Sequence, residues 1–297
     1  MSSKKENVTR RDFMLALSAM PPAGVLLDGR GLGSSPRFRN RHFEVVVMGS
    51  KECLWSYRLT RSGKEYRFAP PVFNIDNRRL TASLTNMKAS HGPVRLRNGA
   101  VEYSYEGTFA GHGDLALTMR FQAAEDNPIV RFSYVLSSSK RHVLTKPEGK
   151  DDLQYLGFSF RNLPQTREVR FSDFRGLLHS FVMEEFALAP RAFADHLAVM
   201  GPMVVGSGRG ECILVAYEHG SQAPDAFLSY RLQPDRSVTL QAVKGNYLPG
   251  KALEGKQTYR TVWFETGAVA GGERQLASAF RTFILKYMTQ NLGTRKP

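Results

Sequence analysis

Apolar and polar residues alternate with a period of two along most of this chain. In the run 115–121, for example, every second residue from Leu115 to Phe121 is apolar. Successive side chains of a strand point to opposite faces of a sheet, so this period predicts half-buried strands. Gly, Pro, Asn and Asp separate the runs, which favours antiparallel hairpins. The strand-like segments are 44–48, 54–59, 66–68, 101–105, 115–121, 130–136, 153–160, 167–171, 177–182, 212–217, 226–232, 238–243 and 259–264.

The last apolar pattern of the chain has a helical period instead. Five apolar residues are spaced so that they share one face of a helix: Leu276, Phe280, Phe283, Ile284 and Tyr287. We therefore predict an amphipathic helix from about 272 to 290, and Gly293 is a residue type that ends helices. The two patterns together predict a mostly β protein: a large antiparallel β-sandwich (a supersandwich) with a C-terminal amphipathic helix.

The first residues have the features of an export signal. Thr9-Arg10-Arg11-Asp12-Phe13 resembles the twin-arginine motif, and an interrupted apolar stretch follows it. This stretch is shorter than the roughly 20 apolar residues that a membrane-spanning helix needs. We predict a twin-arginine-like signal that exports the protein to the periplasm or out of the cell, with a disordered basic tail as the alternative. No later segment is apolar enough to span a bilayer, so no stable membrane span is expected.

The resulting domain organisation has three parts. Residues 1–36 form the signal or tail, 42–271 the β-sandwich domain, and 272–293 the C-terminal linker helix. No linker rich in Pro, Gly or Ser divides the β-region, so we expect one β-domain rather than two.

Composition narrows the classes of partner. The chain has 297 residues and a formal net charge of +14, but its cations are scattered rather than clustered, which argues against a nucleic-acid partner. Cys53 and Cys212 lie far apart, so buried free thiols are expected, with a disulfide left open for an exported protein. The histidines form no pair at metal-ligand spacing, so neither a metal nor a cofactor is predicted.

Several residue strings resemble a known family. They are Val199-Met200-Gly201-Pro202, Tyr217-Glu218-His219-Gly220-Ser221-Gln222, Tyr155-Leu156-Gly157-Phe158 and Ala242-Val243-Lys244-Gly245-Asn246-Tyr247. In this order they resemble the N-terminal β-domain of glycoside hydrolase family 36, the bacterial α-galactosidases. The resemblance runs from about Phe43 to Pro297 and implies a β-domain that precedes a (β/α)8 catalytic barrel. The chain ends near the point where that barrel would begin.

The resemblance implies a function that this chain does not perform alone. The two catalytic aspartates of the family lie on the barrel, so no catalytic residue is assigned here, and whether the chain is an enzyme stays open. We expect an accessory domain of an α-galactosidase-like hydrolase, whose retaining hydrolysis of terminal α-galactosides uses aspartates from another domain or chain. The partners implied are a galactoside, reached through that barrel, and a second copy in a homo-oligomer. The alternatives are an exported carbohydrate-binding or surface protein and an interaction module that uses the helix face.

Three residues are candidates for substrate contact. Glu218 and His219 fall at the lip of a predicted turn after an apolar strand, where they would face a ligand or simply fix the turn by hydrogen bonds. Trp55 is an aromatic platform for a sugar ring, although strand alternation could equally place it in the core. Trp263 is a further possible platform of the same kind.

Adjacent carboxylates make poor catalytic pairs in a strand. Asp151-Asp152 and Glu184-Glu185 are such neighbours, and consecutive strand residues point to opposite faces. We therefore predict surface roles for both pairs.

Overall fold

Antiparallel strands dominate the structure, a computed structural model that describes residues 35–145, 153–160, 163–170, 184–188, 198–199, 202–218, 228–242, 250–255 and 257–288. Within these ranges the strands are β1 (Arg37–Arg39), β2 (Phe43–Val47), β3 (Trp55–Leu59), β4 (Glu65–Phe68), β5 (Val72–Ile75), β6 (Arg78–Thr81), β7 (Leu84–Ala89), β8 (Val94–Arg95), β9 (Val101–Phe109), β10 (His112–Ala123), β11 (Ile129–Ser138), β12 (His142–Val143), β13 (Gln154–Ser159), β14 (Gln165–Arg170), β15 (Glu184–Ala187), β16 (Ala198–Val199), β17 (Met203–Gly208), β18 (Glu211–Tyr217), β19 (Leu228–Leu232), β20 (Ser237–Ala242), β21 (Ala252–Leu253), β22 (Tyr259–Arg260) and β23 (Phe264–Val269). The helix α1 (Glu273–Phe283) follows them, and Ile284–Met288 extends it as one turn of π-helix.

The strands form two layers. One layer is an 11-stranded sheet in which nine strands follow the order β15-β14-β17-β18-β23-β11-β10-β9-β7. The other two are β22, which pairs with β11, and β8, which pairs with β9. Facing it are a four-stranded sheet, β1-β2-β3-β4, and a six-stranded sheet, β16-β19-β20-β13-β5-β6, and an isolated bridge between Ala69 and Gly157 connects these two. A short pair, β12-β21, completes the structure. The predicted fold class, a mostly β antiparallel sandwich with a C-terminal helix, is confirmed.

The core between the layers is rich in aromatic rings. Trp55 stacks on Phe68 with ring centroids 4.1 Å apart, and its edge meets Phe132 of the opposite layer at 4.8 Å. Its indole Nε1 donates a hydrogen bond to Tyr134 Oη at 3.0 Å. Because the ring is completely buried, its polar edge requires a partner inside the protein, and Tyr134 supplies it.

The helix α1 packs on the outer face of the 11-stranded sheet. Leu276, Phe283 and Tyr287 are buried there against apolar residues of β17 and β18, as the helical period predicts. Gly267 of β23 leaves room for a side chain of the neighbouring strand β11: a Cβ there would lie 2.4 Å from Ile129 Cδ1.

Two buried asparagines join the layers to the helix. Asn40 Nδ2 donates to the carbonyl oxygens of Ala124 and Asn127 at 2.7 and 3.0 Å. Asn127 Nδ2 in turn donates to Ala279 O in the helix at 2.9 Å. The side-chain amides of these two asparagines satisfy backbone carbonyl oxygens that would otherwise be unpaired.

The described residues bear on some of the sequence predictions and not on others. The segment with the twin-arginine-like motif lies outside the described residues, as does His219. Cys53 and Cys212 are both buried and free. Within the described ranges, no helix is long and apolar enough to cross a membrane.

Candidate functional site

Glu218 is a predicted contact residue that lies on a polar surface of the described structure. It follows the last residue of β18, and its backbone N–H donates to Trp263 O at 2.9 Å. This bond continues the pairing of β18 with β23 by one step beyond the registered pair Tyr217–Phe264. Glu218 is therefore held beside Trp263 by the sheet itself.

Strand register places four more polar side chains in a row next to Glu218. Glu102 pairs with Gln122, Gln122 with Arg131, and Arg131 with Glu265, across β9, β10, β11 and β23. Alternation puts all four on the outer face, because their sequence neighbours Tyr103, Phe121, Phe132 and Phe264 point into the core. We call Glu102, Arg120, Gln122, Arg131, Glu218, Trp263 and Glu265 the outer-face cluster.

Arg131 is the centre of the outer-face cluster. Its Nε donates to Glu218 Oε1 at 2.6 Å, and its Nη1 donates to Gln122 Oε1 at 3.0 Å. At the other end of the cluster, Arg120 donates to both oxygens of Glu102, at 3.0 and 2.8 Å from Nη2. Paired guanidinium and carboxylate groups of this geometry are rigid, because each planar fork is held at more than one point.

Glu265 is the most deeply buried acid of the outer-face cluster, with 2% of the residue exposed. Burial raises its pKa well above the ordinary 4.5, and the neighbouring Glu218 carboxylate raises it further by charge and by a hydrogen bond, while Arg131 opposes both. The protonated form of this carboxyl group therefore persists to higher pH than in an ordinary glutamic acid. Its Oε1 has no hydrogen-bond partner among the described residues.

Trp263 packs its indole ring against the two arginines of the outer-face cluster, and the residue is only half-buried. The guanidinium carbon of Arg131 lies 4.2 Å from the ring centroid, and that of Arg120 lies 5.1 Å away. Cations at these distances are attracted to the ring quadrupole. The ring and its two arginines thus form a fixed, partly solvent-exposed polar surface.

The outer-face cluster does not have the geometry of a glycosidase active site. A retaining pair needs carboxyl groups about 5–5.5 Å apart, one of them a charged nucleophile. Here Glu218 and Glu265 are in direct hydrogen-bond contact, and Arg131 neutralises the charge that they share. No group of three or more metal-ligating side chains occurs within the described residues. This arrangement can bind and position, but it offers no free nucleophile.

The other predicted contact residues have different surroundings. Trp55 lies in the aromatic core with no exposed surface, so this chain gives it a packing role. The Glu184-Glu185 pair lies on strand β15, and Asp151-Asp152 lies outside the described residues. Sequence reasoning named Glu218 and Trp263 but missed Arg131, Gln122 and Glu265. The hairpin β10–β11 could have indicated Gln122 and Arg131, because a short turn fixes which residues face each other.

A second polar group lies at the other end of β10. His142 Nδ1 contacts Asp76 Oδ2 at 2.5 Å, and its Nε2 contacts Asp114 Oδ2 at 2.6 Å. Hydrogen bonds to Asp114 and then Asp76 raise the pKa of His142 above 6.5. Both ring nitrogens are engaged, so the ring of His142 connects the β5–β6 turn to β10 and has no nitrogen left for catalysis.

Comparison with solved structures gives several matches to α-galactosidases. The α-galactosidase AgaB of glycoside hydrolase family 36 from Geobacillus stearothermophilus matches with a TM-score of 0.54 and 9% identity, over 84% of this chain and 41% of that chain. A variant of AgaA from the same organism, in complex with stachyose, matches with a TM-score of 0.56 and 10% identity, over 89% and 45%. The α-galactosidase from Lactobacillus brevis matches with a TM-score of 0.52 and 10% identity, over 84% and 41%.

The sequence by itself matches no protein-family model and no curated protein. At about a tenth identity, the structural matches establish the fold alone. The chain spans less than half the length of the α-galactosidases it matches. This chain therefore has the fold of a β-sandwich portion of family 36 α-galactosidases, as the resemblance of its residue strings implies.

Proposed function

We propose that this chain acts as a non-catalytic accessory β-domain of an α-galactosidase-like glycoside hydrolase. The observation that supports this most directly is the match in fold to three α-galactosidases, over 84–89% of this chain but 41–45% of theirs. Hydrolysis of terminal α-galactosides would then use aspartates of a catalytic barrel supplied by another domain or chain. The β-domain would flank that barrel and limit access to it.

The chemistry of the described carboxyl groups supports a non-catalytic role. Glu218 and Glu265 share a hydrogen bond under Arg131, and Asp76 and Asp114 are both tied to His142. Each of these acids is committed to a partner inside the protein. A double displacement needs one acid that is free to attack and another that is free to donate a proton.

The assay is hydrolysis of an aryl α-galactoside by the purified full chain. We expect no turnover above the buffer rate, and Glu218→Gln and Asp114→Asn should leave that result unchanged. Turnover that either substitution abolishes would show that this polypeptide carries its own active site, and the proposal would be wrong.

A second candidate function is carbohydrate binding without a hydrolase partner. The observation that favours it is the half-buried Trp263, whose ring lies against Arg120 and Arg131, while Arg131 also binds Gln122 and Glu218. Aromatic faces beside planar polar groups can bind the C–H surfaces and hydroxyls of a sugar. Calorimetric titration with raffinose distinguishes the two functions: saturable binding that Trp263→Ala abolishes, with folding retained, would support the second.

We also propose that the chain is exported through its twin-arginine-like motif. The support is the sequence Arg10-Arg11 followed by a short apolar stretch. A reporter that folds in the cytoplasm, fused to residues 1–36, should reach the periplasm, and Arg10→Lys with Arg11→Lys should retain it inside. Equal export of both fusions would contradict a twin-arginine route.

A further inference from the structure

An apolar cavity lies between α1 and the outer face of the large sheet. Its volume is about 350 Å³. Met203, Val205 and Leu214 form the wall on the sheet side, and Leu276, Phe280 and Ile284 form the wall on the helix side. This volume is near the lower end of the range for small-ligand pockets, about 300–1,000 Å³. The cavity has room for one extended alkyl chain rather than for a helix of a partner protein.

The charged residues of this cavity are mainly cationic. Arg167 and Arg281 line it together with a single acid, Glu273. Glu273 is already engaged, since it accepts a hydrogen bond from Ser207 Oγ at 2.7 Å and lies 3.5 Å from Arg167 Nε. Arg281 is exposed, and none of the described residues forms an ion pair with it. The cavity therefore combines apolar walls with one cation that is available to a ligand.

We propose that this cavity binds a free single-chain carboxylate, an anionic amphiphile such as a medium-chain fatty acid. The alkyl chain lies between the helix and the sheet, where it removes apolar surface from water. The carboxylate pairs with Arg281, whose guanidinium matches the two oxygens of a carboxylate. This inference is independent of the proposed hydrolase role, because no residue of the outer-face cluster lines the cavity.

The test is calorimetric titration of the purified full chain with laurate below its micelle concentration. We expect saturable one-to-one binding, at least tenfold weaker binding of dodecanol, and no binding of dodecyltrimethylammonium. These two ligands keep the chain length and remove or reverse the charge. Equal affinity for all three would mean non-specific adsorption of detergent-like molecules, and the proposal would be wrong.

Three variants locate the binding. Ala277→Trp places a large ring in the cavity, since Ala277 lines it, and should weaken laurate binding at least tenfold. Arg281→Glu should weaken laurate by a similar factor but change dodecanol little. Arg274→Glu is the matched control, because Arg274 is an exposed arginine of the same helix that does not line the cavity, and it should bind laurate like the unmodified chain.

Two measurements keep the outcome unambiguous. Circular dichroism must show that each variant is folded. If Ala277→Trp does not fold, the comparison of Arg281→Glu with its control Arg274→Glu tests the binding site without it. Light scattering measures whether the protein forms a dimer in which a second copy of the chain covers the cavity. A dimer that Ala277→Trp dissociates and laurate does not affect would contradict the proposal, as would laurate binding that none of the variants changes.

Discussion

At the scale of single residues, the outer-face cluster depends on Arg131. This side chain contacts Gln122 and Glu218 and lies over Trp263. Truncation of Arg131 would leave Glu218 beside the buried Glu265 without the guanidinium that compensates their charge. We predict that Arg131→Ala lowers the free energy of unfolding by about 2 kcal/mol, the usual scale for a charged hydrogen bond. Urea unfolding at pH 7 measures the change.

The matched control for this prediction is Arg67→Ala. Arg67 pairs with Glu65 at 3.1 Å, but 66% of its side chain is exposed. Exposed pairs contribute little, because water and salt screen them. If both substitutions cost the same, the outer-face cluster contributes no more than an ordinary surface ion pair.

Glu265 should make stability depend on pH in an unusual direction for an acid. Its pKa in the folded protein is raised above 4.5 by burial and by Glu218. The unfolded chain therefore loses this proton first, and the contribution is full below 4.5 and declines as pH rises through the raised value. Glu265→Gln keeps a neutral hydrogen-bonding group of nearly the same shape, so it should remove the decline.

The measurement is the unfolding midpoint of both proteins between pH 4 and pH 9. We expect the midpoint of Glu265→Gln, relative to the unmodified chain, to rise with pH, whereas the exposed Glu52→Gln should change nothing. A difference that stays constant over this range would mean that Glu265 is ionised like an ordinary surface acid.

At the scale of elements, His142 links three of them. It lies on β12, Asp76 lies in the β5–β6 turn, and Asp114 lies on β10. Asp76 and its neighbour Asn77 have φ of 50° and 62°, the left-handed region that Asx residues tolerate in tight hairpins. The turn therefore presents a carboxylate to His142 at a fixed position.

This ion-paired histidine predicts a pH window for stability. The pKa of His142 is raised from 6.5 by Asp114 and Asp76, so its contribution is full below 6.5 and lost as pH rises through the raised value. Hydrogen bonds from His142 lower the pKa of Asp114 from 3.8, and they lower that of Asp76 against an opposing effect of burial. Those contributions are full above 3.8 and lost on acidification.

We expect His142→Gln to be most destabilising between pH 3.8 and 6.5. Thermal unfolding across pH 3–9 measures this, with His112→Gln as the control. His112 is also on β10 but has no part in these contacts. A loss for His142→Gln that does not vary with pH would show that the ring acts through packing and not through its charge.

The joint between β23 and β11 gives a sterically based prediction. A Cβ on Gly267 would lie 2.4 Å from Ile129 Cδ1 and 2.9 Å from Pro128 O. Because the second neighbour is backbone, the strand itself would have to shift, and we predict that Gly267→Ala costs about 1–3 kcal/mol. Gly113→Ala is the control, since no atom lies within 4 Å of the position that its Cβ would take. Chemical denaturation of the two variants should differ; equal stability would show that the sheet adapts without cost.

Sequence periodicity was informative for elements and much less so for their arrangement. The run 115–121 is part of β10 and the pattern after 272 is part of α1, because alternation and helical period are local properties. Glu102, Gln122, Arg131 and Glu265 become neighbours through the register of four paired strands. The pattern within one segment does not specify that register. Trp55 illustrates the same limit, since alternation cannot tell which layer covers a given face.

At the scale of the whole molecule, one core connects all of the large sheets. The aromatic cluster includes Phe43 and Trp55 of the four-stranded sheet, Tyr155 of the six-stranded sheet, and Phe132 of the 11-stranded sheet. Residues that share one continuous core unfold together, because no layer can expose its face without exposing another. We therefore predict a single cooperative unfolding transition for the sheets that share this core.

The two tryptophans of the chain allow this to be tested from both sides of the large sheet. Trp55 reports on the core between the layers, and Trp263 reports on the outer face. In Trp263→Phe and in Trp55→Phe, the remaining tryptophan fluorescence should follow the same urea curve as the circular dichroism of that variant. Substitution of the buried Trp55 will lower the midpoint of both probes together. If the Trp263 signal instead changes at lower urea than the β-sheet signal, the outer face unfolds separately, and the two layers do not form one cooperative unit.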